Sequence, residues 1–274
     1  MTTIAQALEQ ARRRGLDRLD AQLLLAHVLG RGRAWLIAHD GDALEAAAQA
    51  RFEALVARRA AGEPLAYLVG QREFHGLVLA VDARVLVPRP DTELLVEWAL
   101  ECLAALPAGA TVVDLGTGSG AIALAVKARR PDACVTAVDV SADSLAVATQ
   151  NGQRLQLAVD WQLGSWWQPL AGRRFELVLS NPPYVRADDP HLAALTHEPI
   201  GALTPGPGGL EAIEAIGASA LEHLAPGAWL LLEHGHDQAG DVRALLARHG
   251  LAEVQSRRDL AGHERCTGGR RPAQ

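Results

Sequence analysis

Lysine is almost absent from this chain. Of 26 basic residues among 274, Lys127 alone is not arginine, which together with the abundant alanine is read as a coding bias before it is read as function. Cysteine is scarce too. Cys102, Cys134 and Cys266 are widely spaced and odd in number, which argues against a disulfide framework and against a zinc cluster, and makes the cytoplasm the expected compartment. Long apolar runs are missing, and nothing approaches the ~20 residues of a membrane span. The opening "MTTIAQALEQARRRG" has no basic-then-apolar order, so no secretory leader is expected. A basic excess is missing as well: the net charge of −6 argues against stable binding to nucleic acid through bulk charge. Repeats and low-complexity tracts are not found.

What is present suits a globular protein with a sizeable core in one large domain or two modest ones. Hydrophobic residues make up 49% and charged residues 21%, an ordinary balance for such a chain. Residues 1–62 read as helices only, within a helical N-terminal domain expected over residues 1–72. "IAQALEQARRRG" and "RLDAQLLLAHVLG" have apolar residues at helical spacing and stop at Gly15 and Gly30, and a third helix sets Leu44, Ala48, Phe52, Leu55 and Val56 on one side. Residues 73–88, which contain "FHGLVLAVDARVLVP", are β-rich and turn-punctuated, and predict a hairpin linker. A helix follows, entered through Pro90 and capped by Asp91 or Thr92. Across residues 89–274 strands and helices then alternate, from "TVVDLG" to a closing hairpin of "AEVQSRRDL" and "ERCTGG". The expected fold class is therefore α/β, a doubly wound Rossmann-like sheet, mostly parallel with a C-terminal antiparallel hairpin, preceded by a small helical bundle.

Two stretches carry chemistry. In "VVDLGTGSGA" the residues Gly116, Thr117, Gly118, Ser119 and Gly120 join a strand to a helix, where glycine lets the backbone turn tightly and approach a ligand. The spacing alone also satisfies the dinucleotide pattern G-x-G-x-x-A. Asp114 ends the first strand, where it could face a ligand's amino group or organise the loop; Asp139 ends the second, placed to accept from ribose hydroxyls. Acid at both positions suits S-adenosyl-L-methionine, which is cationic and carries no phosphate, better than NAD.

The second stretch is "FELVLSNPPYV". Its strand ends beside the first in an open sheet, so Asn181, Pro182, Pro183 and Tyr184 project beside the cofactor crevice. Two prolines remove two backbone donors and stiffen the corner. The Asn181 side-chain carbonyl and the Pro182 backbone carbonyl form a pair of acceptors for a planar –NH2 group, and Tyr184 offers a face for stacking. Such a nitrogen is a poor nucleophile, and catalysis then consists of aiming it, with positioning worth about 7 kcal/mol or more.

"DLGTGSGAIALA", "AVDVSADSLAVA", "LSNPPYV", "VPRPDTELLVE", "LLLEHG" and "RRDLAGHER" together resemble the PrmC/HemK family of protein-(glutamine-N5) methyltransferases, over nearly the whole chain. Asn-Pro-Pro-Tyr alone is shared with adenine-N6 enzymes; "RPDTE" after a helical N-terminal domain is more specific. The resemblance implies methyl transfer from S-adenosyl-L-methionine to the glutamine N5 of the Gly-Gly-Gln (GGQ) motif of peptide chain release factors, with residues 1–72 recognising the substrate. It implies that Gly116 to Gly120, Asp139, Trp166 and Asn181 hold the cofactor, with Trp166 against the adenine. Asn181, Pro182, Pro183 and Tyr184 would grip the amide, residues 89–93 would line the cofactor pocket, and Glu198 would be structural or near the substrate. Ser165 stands where the family often has an acid, and His75 where Tyr or Trp is usual. For His234 and His236 strand-end packing is expected, and no metal. The alternatives are glutamine methylation of a ribosomal protein and adenine-N6 methylation of nucleic acid; the irregular insert at residues 186–209 is short and poor in basic residues, which weighs against the latter.

Overall fold

Thr3 starts the first helix with a reciprocal cap. Its hydroxyl accepts from the Gln6 N–H, and the Gln6 side chain accepts from the Thr3 N–H at 2.9 Å. In the computed structural model, which describes residues 1–273, the chain divides into two units, Met1–Gln71 and Arg72–Gln274. The first contains α1 (Ile4–Arg13), α2 (Arg18–Leu29), α3 (Arg33–Ala38), α4 (Ala46–Ala60) and α5 (Leu65–Val69). Gly30 ends α2 in the left-handed conformation, φ 62°. Ile4, Leu24, Leu25, Leu36, Phe52 and Val56 form a core belonging to this unit alone. Leu44 and Ala48 join it, whereas Leu55 is only partly buried.

At the boundary, β1 (Gln71–Phe74) and β2 (Leu77–Ala80) form a two-stranded hairpin. Its turn residues His75 and Gly76 both have positive φ, 49° and 81°, the geometry that matches strand twist in a two-residue loop. Among the described residues no further strand joins this small sheet. Between Val81 and Arg89 the described backbone is irregular, because Pro88 and Pro90 interrupt pairing and the Val87 N–H bonds to the Glu198 carboxylate instead, at 3.1 Å.

The helix entered at Pro90 begins with a 3-10 turn (Pro90–Thr92) and continues as α6 (Glu93–Ala104). The large sheet then builds up through β3 (Thr111–Leu115), α7 (Ala121–Arg129), β4 (Cys134–Asp139), α8 (Ala142–Leu155), β5 (Asp160–Leu163) and β6 (Phe175–Ser180). The Ser141 hydroxyl caps α8, accepting from the Ser144 N–H at 3.2 Å. The helix expected across "GGLEAIEAIGASALEHL" is broken at Ser219 into α9 (Glu211–Ala218) and α10 (Ala220–His223), after which come β7 (Leu224–Glu233), α11 (Ala239–Arg248), β8 (Ala252–Arg258) and β9 (Glu264–Arg270).

Strand order is β5-β4-β3-β6-β7-β9-β8. The pairs from β5 to β7 are parallel, while β9 is antiparallel to both β7 and β8. The chain winds outward from β3 to β5, then returns to lay β6 on the other side of β3. That reversal makes the carboxyl ends of β3 and β6 the topological switch point, the place where open sheets hold ligands. One face of the sheet packs on α6 and α7 through Trp98, Leu95 and Leu124, and the other on α9 and α11 through Ile213, Ile216 and Leu246. The doubly wound sheet with its antiparallel end is borne out, with one refinement: the second strand of the closing hairpin, β9, is the inner one.

Candidate active site

Three glycines shape the loop after β3. Gly116, Gly118 and Gly120 all have positive φ, 73°, 56° and 82°, and a Cβ at Gly120 would meet Leu124, Trp161 and Ala148 at 3.1–3.2 Å. The buried Thr117 hydroxyl donates to Asp114 Oδ2 at 2.6 Å. Of the two roles open to Asp114, the structure shows the loop-organising one. The carboxyl is wholly buried, its Oδ1 has no hydrogen-bond partner, and burial pushes its pKa up to about 7. Ser119 is buried as well, and its carbonyl accepts from Asn151 Nδ2 at 3.0 Å. Asn151 also bonds the N–H and carbonyl of Ala80, so the β2 strand, α8 and the glycine loop are tied at one residue.

Asp139, at the end of β4, reaches across to the loop. Its Oδ2 accepts from the Gly118 N–H at 2.8 Å and its Oδ1 from the Ser141 N–H at 2.9 Å. Burial raises its pKa, and these backbone donors oppose the rise. A carboxylate has about four lone-pair positions, so two remain for hydroxyls of a ligand.

A cavity of about 380 Å³ opens here, lined by Gly116, Gly118, Asp139, Trp166, Asn181 and Pro183 among others. The size is that of a pocket for a nucleoside-bearing molecule. Trp166 has φ 47°, and a Cβ on Gly116 would come within 3.3 Å of its ring, so glycine is what admits the indole at this wall. Ser165 lines the cavity beside it. The lining cation is Arg84, which is exposed and already paired with Asp82 at 2.7 Å. A diphosphate would find no free cation among these lining side chains, while acid and aromatic groups suit a cationic nucleoside.

A narrower cleft of about 100 Å³ is lined by Asn181, Pro182, Tyr184 and Arg89, with apolar walls from Leu86, Val185, Leu195 and Leu203. Asn181 borders both spaces. Its Nδ2 donates to Thr92 Oγ1 at 3.1 Å. The Tyr184 hydroxyl donates to Glu233 Oε1 at 3.2 Å, and burial raises the phenol's pKa, so it remains a donor. Ser180 fastens the base of the corner, its hydroxyl donating to the Leu115 carbonyl at 2.6 Å.

Residues 89–93 occupy other places than the larger cavity's lining, where Arg84 and Leu86 stand instead. Arg89 pairs with the buried Glu198, Asp91 with Arg265 at 3.4 Å, and Glu93 accepts from the His75 N–H at 3.0 Å. Glu198 thus straps the segment before Pro199 to the backbone at Val87. His75 Nε2 lies 2.6 Å from Glu97, and His234 is buried against the Thr267 hydroxyl at 2.7 Å. Glu233 was not singled out by the sequence reading; a carboxylate closing the apolar run "AWLLLE" was the available signal.

A glycine loop and an Asn-Pro-Pro-Tyr corner meeting at the switch point of an open sheet define a methyltransferase of the S-adenosylmethionine-dependent class. Comparison with known proteins gives the family. Residues 1–70 match the model described as the PrmC N-terminal domain, and residues 91–201 the one described as the methyltransferase small domain. The release factor glutamine methyltransferase of Bordetella pertussis is 54% identical over 258 residues, covering 93% of this chain and 95% of the relative. Its namesake from Burkholderia pseudomallei is 50% identical over 277 residues, covering 98% and 97%. The chain belongs to the release factor glutamine methyltransferase family. A T. thermophilus 16S rRNA methyltransferase solved in complex with AdoMet and guanosine shares the fold, with a TM-score of 0.56 and 19% identity over 73% of this chain and 49% of that one.

Proposed function

We propose that this enzyme transfers the methyl group of S-adenosyl-L-methionine to the side-chain nitrogen N5 of the glutamine in the GGQ motif of peptide chain release factors. The observation that carries this reading is the position of Asn181 on the border of the larger cavity and the narrow cleft. The bound cofactor supplies an electrophilic methyl on a sulfonium. The loop from Gly116 through Thr117, Gly118 and Ser119 to Gly120 would cradle it, Asp139 would accept from its ribose, Trp166 would cover its adenine, and Asn181 would close the cavity on the cleft side.

In the cleft, the Asn181 side-chain carbonyl and the Pro182 backbone carbonyl would each accept one hydrogen of the glutamine –NH2. This orients the nitrogen and places two dipoles against the positive charge that grows on it. Pro182 and Pro183 fix the spacing of these acceptors, and Tyr184 packs on the planar amide. The apolar walls exclude water, which strengthens these contacts. The amide nitrogen loses its proton after transfer, so no strong base is required before it. Residues 1–72 would recognise the protein substrate. Cysteines free of disulfides among the described residues agree with a cytoplasmic place of work, where release factors act.

The test is transfer of labelled methyl from cofactor to a release factor and to its GGQ Gln→Ala variant. Label on the first alone is expected. Equal labelling of both, or of neither, would refute the assignment.

A further inference from the structure

Glu233 ends β7 and is 1% exposed, yet it carries a carboxyl group. The Tyr184 hydroxyl donates to its Oε1, while Oε2 is enclosed without a hydrogen-bond partner. The Thr92 hydroxyl stands close enough to favour the ionised carboxylate. Thr92 is itself buried, and its side chain makes no capping bond to α6; its oxygen instead accepts from Asn181 Nδ2 at 3.1 Å. Tyr184 and Glu233 are thus joined by one hydrogen bond and Thr92 and Asn181 by another, with the Thr92 hydroxyl beside the buried carboxyl.

A hydroxyl has one proton to give. With Glu233 ionised, its unpartnered Oε2 attracts that proton toward a charge-assisted bond, which leaves only lone pairs of Thr92 facing Asn181. The asparagine must then turn its –NH2 toward Thr92 and its carbonyl away, to the cleft. With Glu233 neutral, the Thr92 proton is released to donate to the Asn181 carbonyl, and the flipped amide becomes the favoured one. A flipped Asn181 would meet an incoming –NH2 with a donor. Building on the amide-transfer reading of the same site, we propose that Glu233 is a positioning residue whose carboxylate orders the Thr92 hydroxyl and so fixes which end of the Asn181 amide faces the substrate.

The surroundings make this arrangement responsive to pH. Burial pushes the Glu233 carboxyl up to about 7, opposed by the Thr92 and Tyr184 hydroxyls and Arg265, and assisted by Asp91. From β9, Arg265 is held between Asp91 and Asp259, each at 3.4 Å, and burial holds the Cys266 thiol well above its usual value. Tyr184 is raised by burial, and His234, the next residue along, is lowered by it. Glu233 is the member of this cluster that changes charge near neutrality.

The experiment follows the Asn181 side-chain amide by 15N NMR in the protein alone, from about pH 5.5 to 9, in wild type, Glu233→Gln, Thr92→Val and Thr92→Ser, alongside methyl-transfer rates over the same range. In wild type the Asn181 amide signals should titrate with a midpoint near 7, and kcat should fall on the acid side with the same midpoint. Glu233→Gln and Thr92→Val should lose the titration and lower kcat about tenfold or more with little change in the KM for cofactor, and Thr92→Ser should restore both. Asn181 signals that ignore pH, or an unaltered acid limb in Glu233→Gln, would overturn the proposal. Should wild type leave a release factor unlabelled, the substrate reading fails, and the NMR titration still decides the link between Glu233 and Asn181.

Discussion

Asn181 borders both the larger cavity and the narrow cleft, so removal of its amide is expected to separate binding from transfer. Asn181→Ala is expected to lower methyl transfer about 100-fold or more, on the scale of losing a preorganised polar group, with cofactor affinity by calorimetry nearly unchanged. Parallel loss of both would mean that the residue only shapes the cavity. Asp139 predicts the opposite pattern. Its removal frees the N–H groups of Gly118 and Ser141 and deletes the expected acceptor for ribose, so Asp139→Ala should weaken cofactor binding about 10- to 100-fold. The buried acids also mark the stability curve. Asp114 and Glu233 both have carboxyls raised to about 7, so the folded state holds their protons more tightly than the unfolded chain does. Their contribution is complete below the ordinary carboxylate range near pH 4 and is lost as pH climbs through about 7. Urea midpoints should therefore fall between about pH 5 and 8, and fall less steeply in Glu233→Gln. A midpoint that rises over this range would contradict the assignment.

At the level of elements, β9 packs closely against β7 and α6 at Gly268. A Cβ on Gly268 would sit 2.5 Å from Leu231 and 2.7 Å from Trp98, so Gly268→Ala should cost about 1–3 kcal/mol in chemical denaturation while cofactor affinity of the folded fraction holds. The alternation of strand and helix was legible in the sequence because buried parallel strands are nearly continuous apolar runs, as in "FELVLS", bounded by glycine or proline. The glycine loop and the Asn-Pro-Pro-Tyr corner were legible for the same local reason, since each is a contiguous stretch. What escaped was set by distant partners. The backbone at Val87 is held by the Glu198 side chain and not by a strand, which no local pattern announces. Thr92 and Asn181 meet across 89 positions, and Tyr184 and Glu233 across 49, so the arrangement behind the amide emerges only when the sheet is assembled.

On the scale of the whole molecule, the two units each have a core of their own, and the glycine loop, both cavities and Glu233 belong to the second. A chain reduced to residues 72–274 is expected to fold, to bind cofactor within a few-fold of the full protein, and to lose methylation of a release factor by about tenfold or more, since binding energy from remote parts of a substrate contributes to rate. Calorimetry and labelled transfer on that fragment check both parts. Retained transfer would show that the helical unit does not recognise the substrate.

The strand order also imposes a timetable on synthesis. β8 leaves the ribosome before β9, yet among the described strands its neighbour in the sheet is β9 alone. A nascent chain halted short of Glu264 therefore carries β8 without its sheet partner and leaves an unpaired ladder along β7, the kind of edge that invites aggregation. Until Arg265 arrives, the acid at the end of β7 also lacks a nearby cation that favours its ionised form. The sheet closes only when its last-made strand enters between two that are already there.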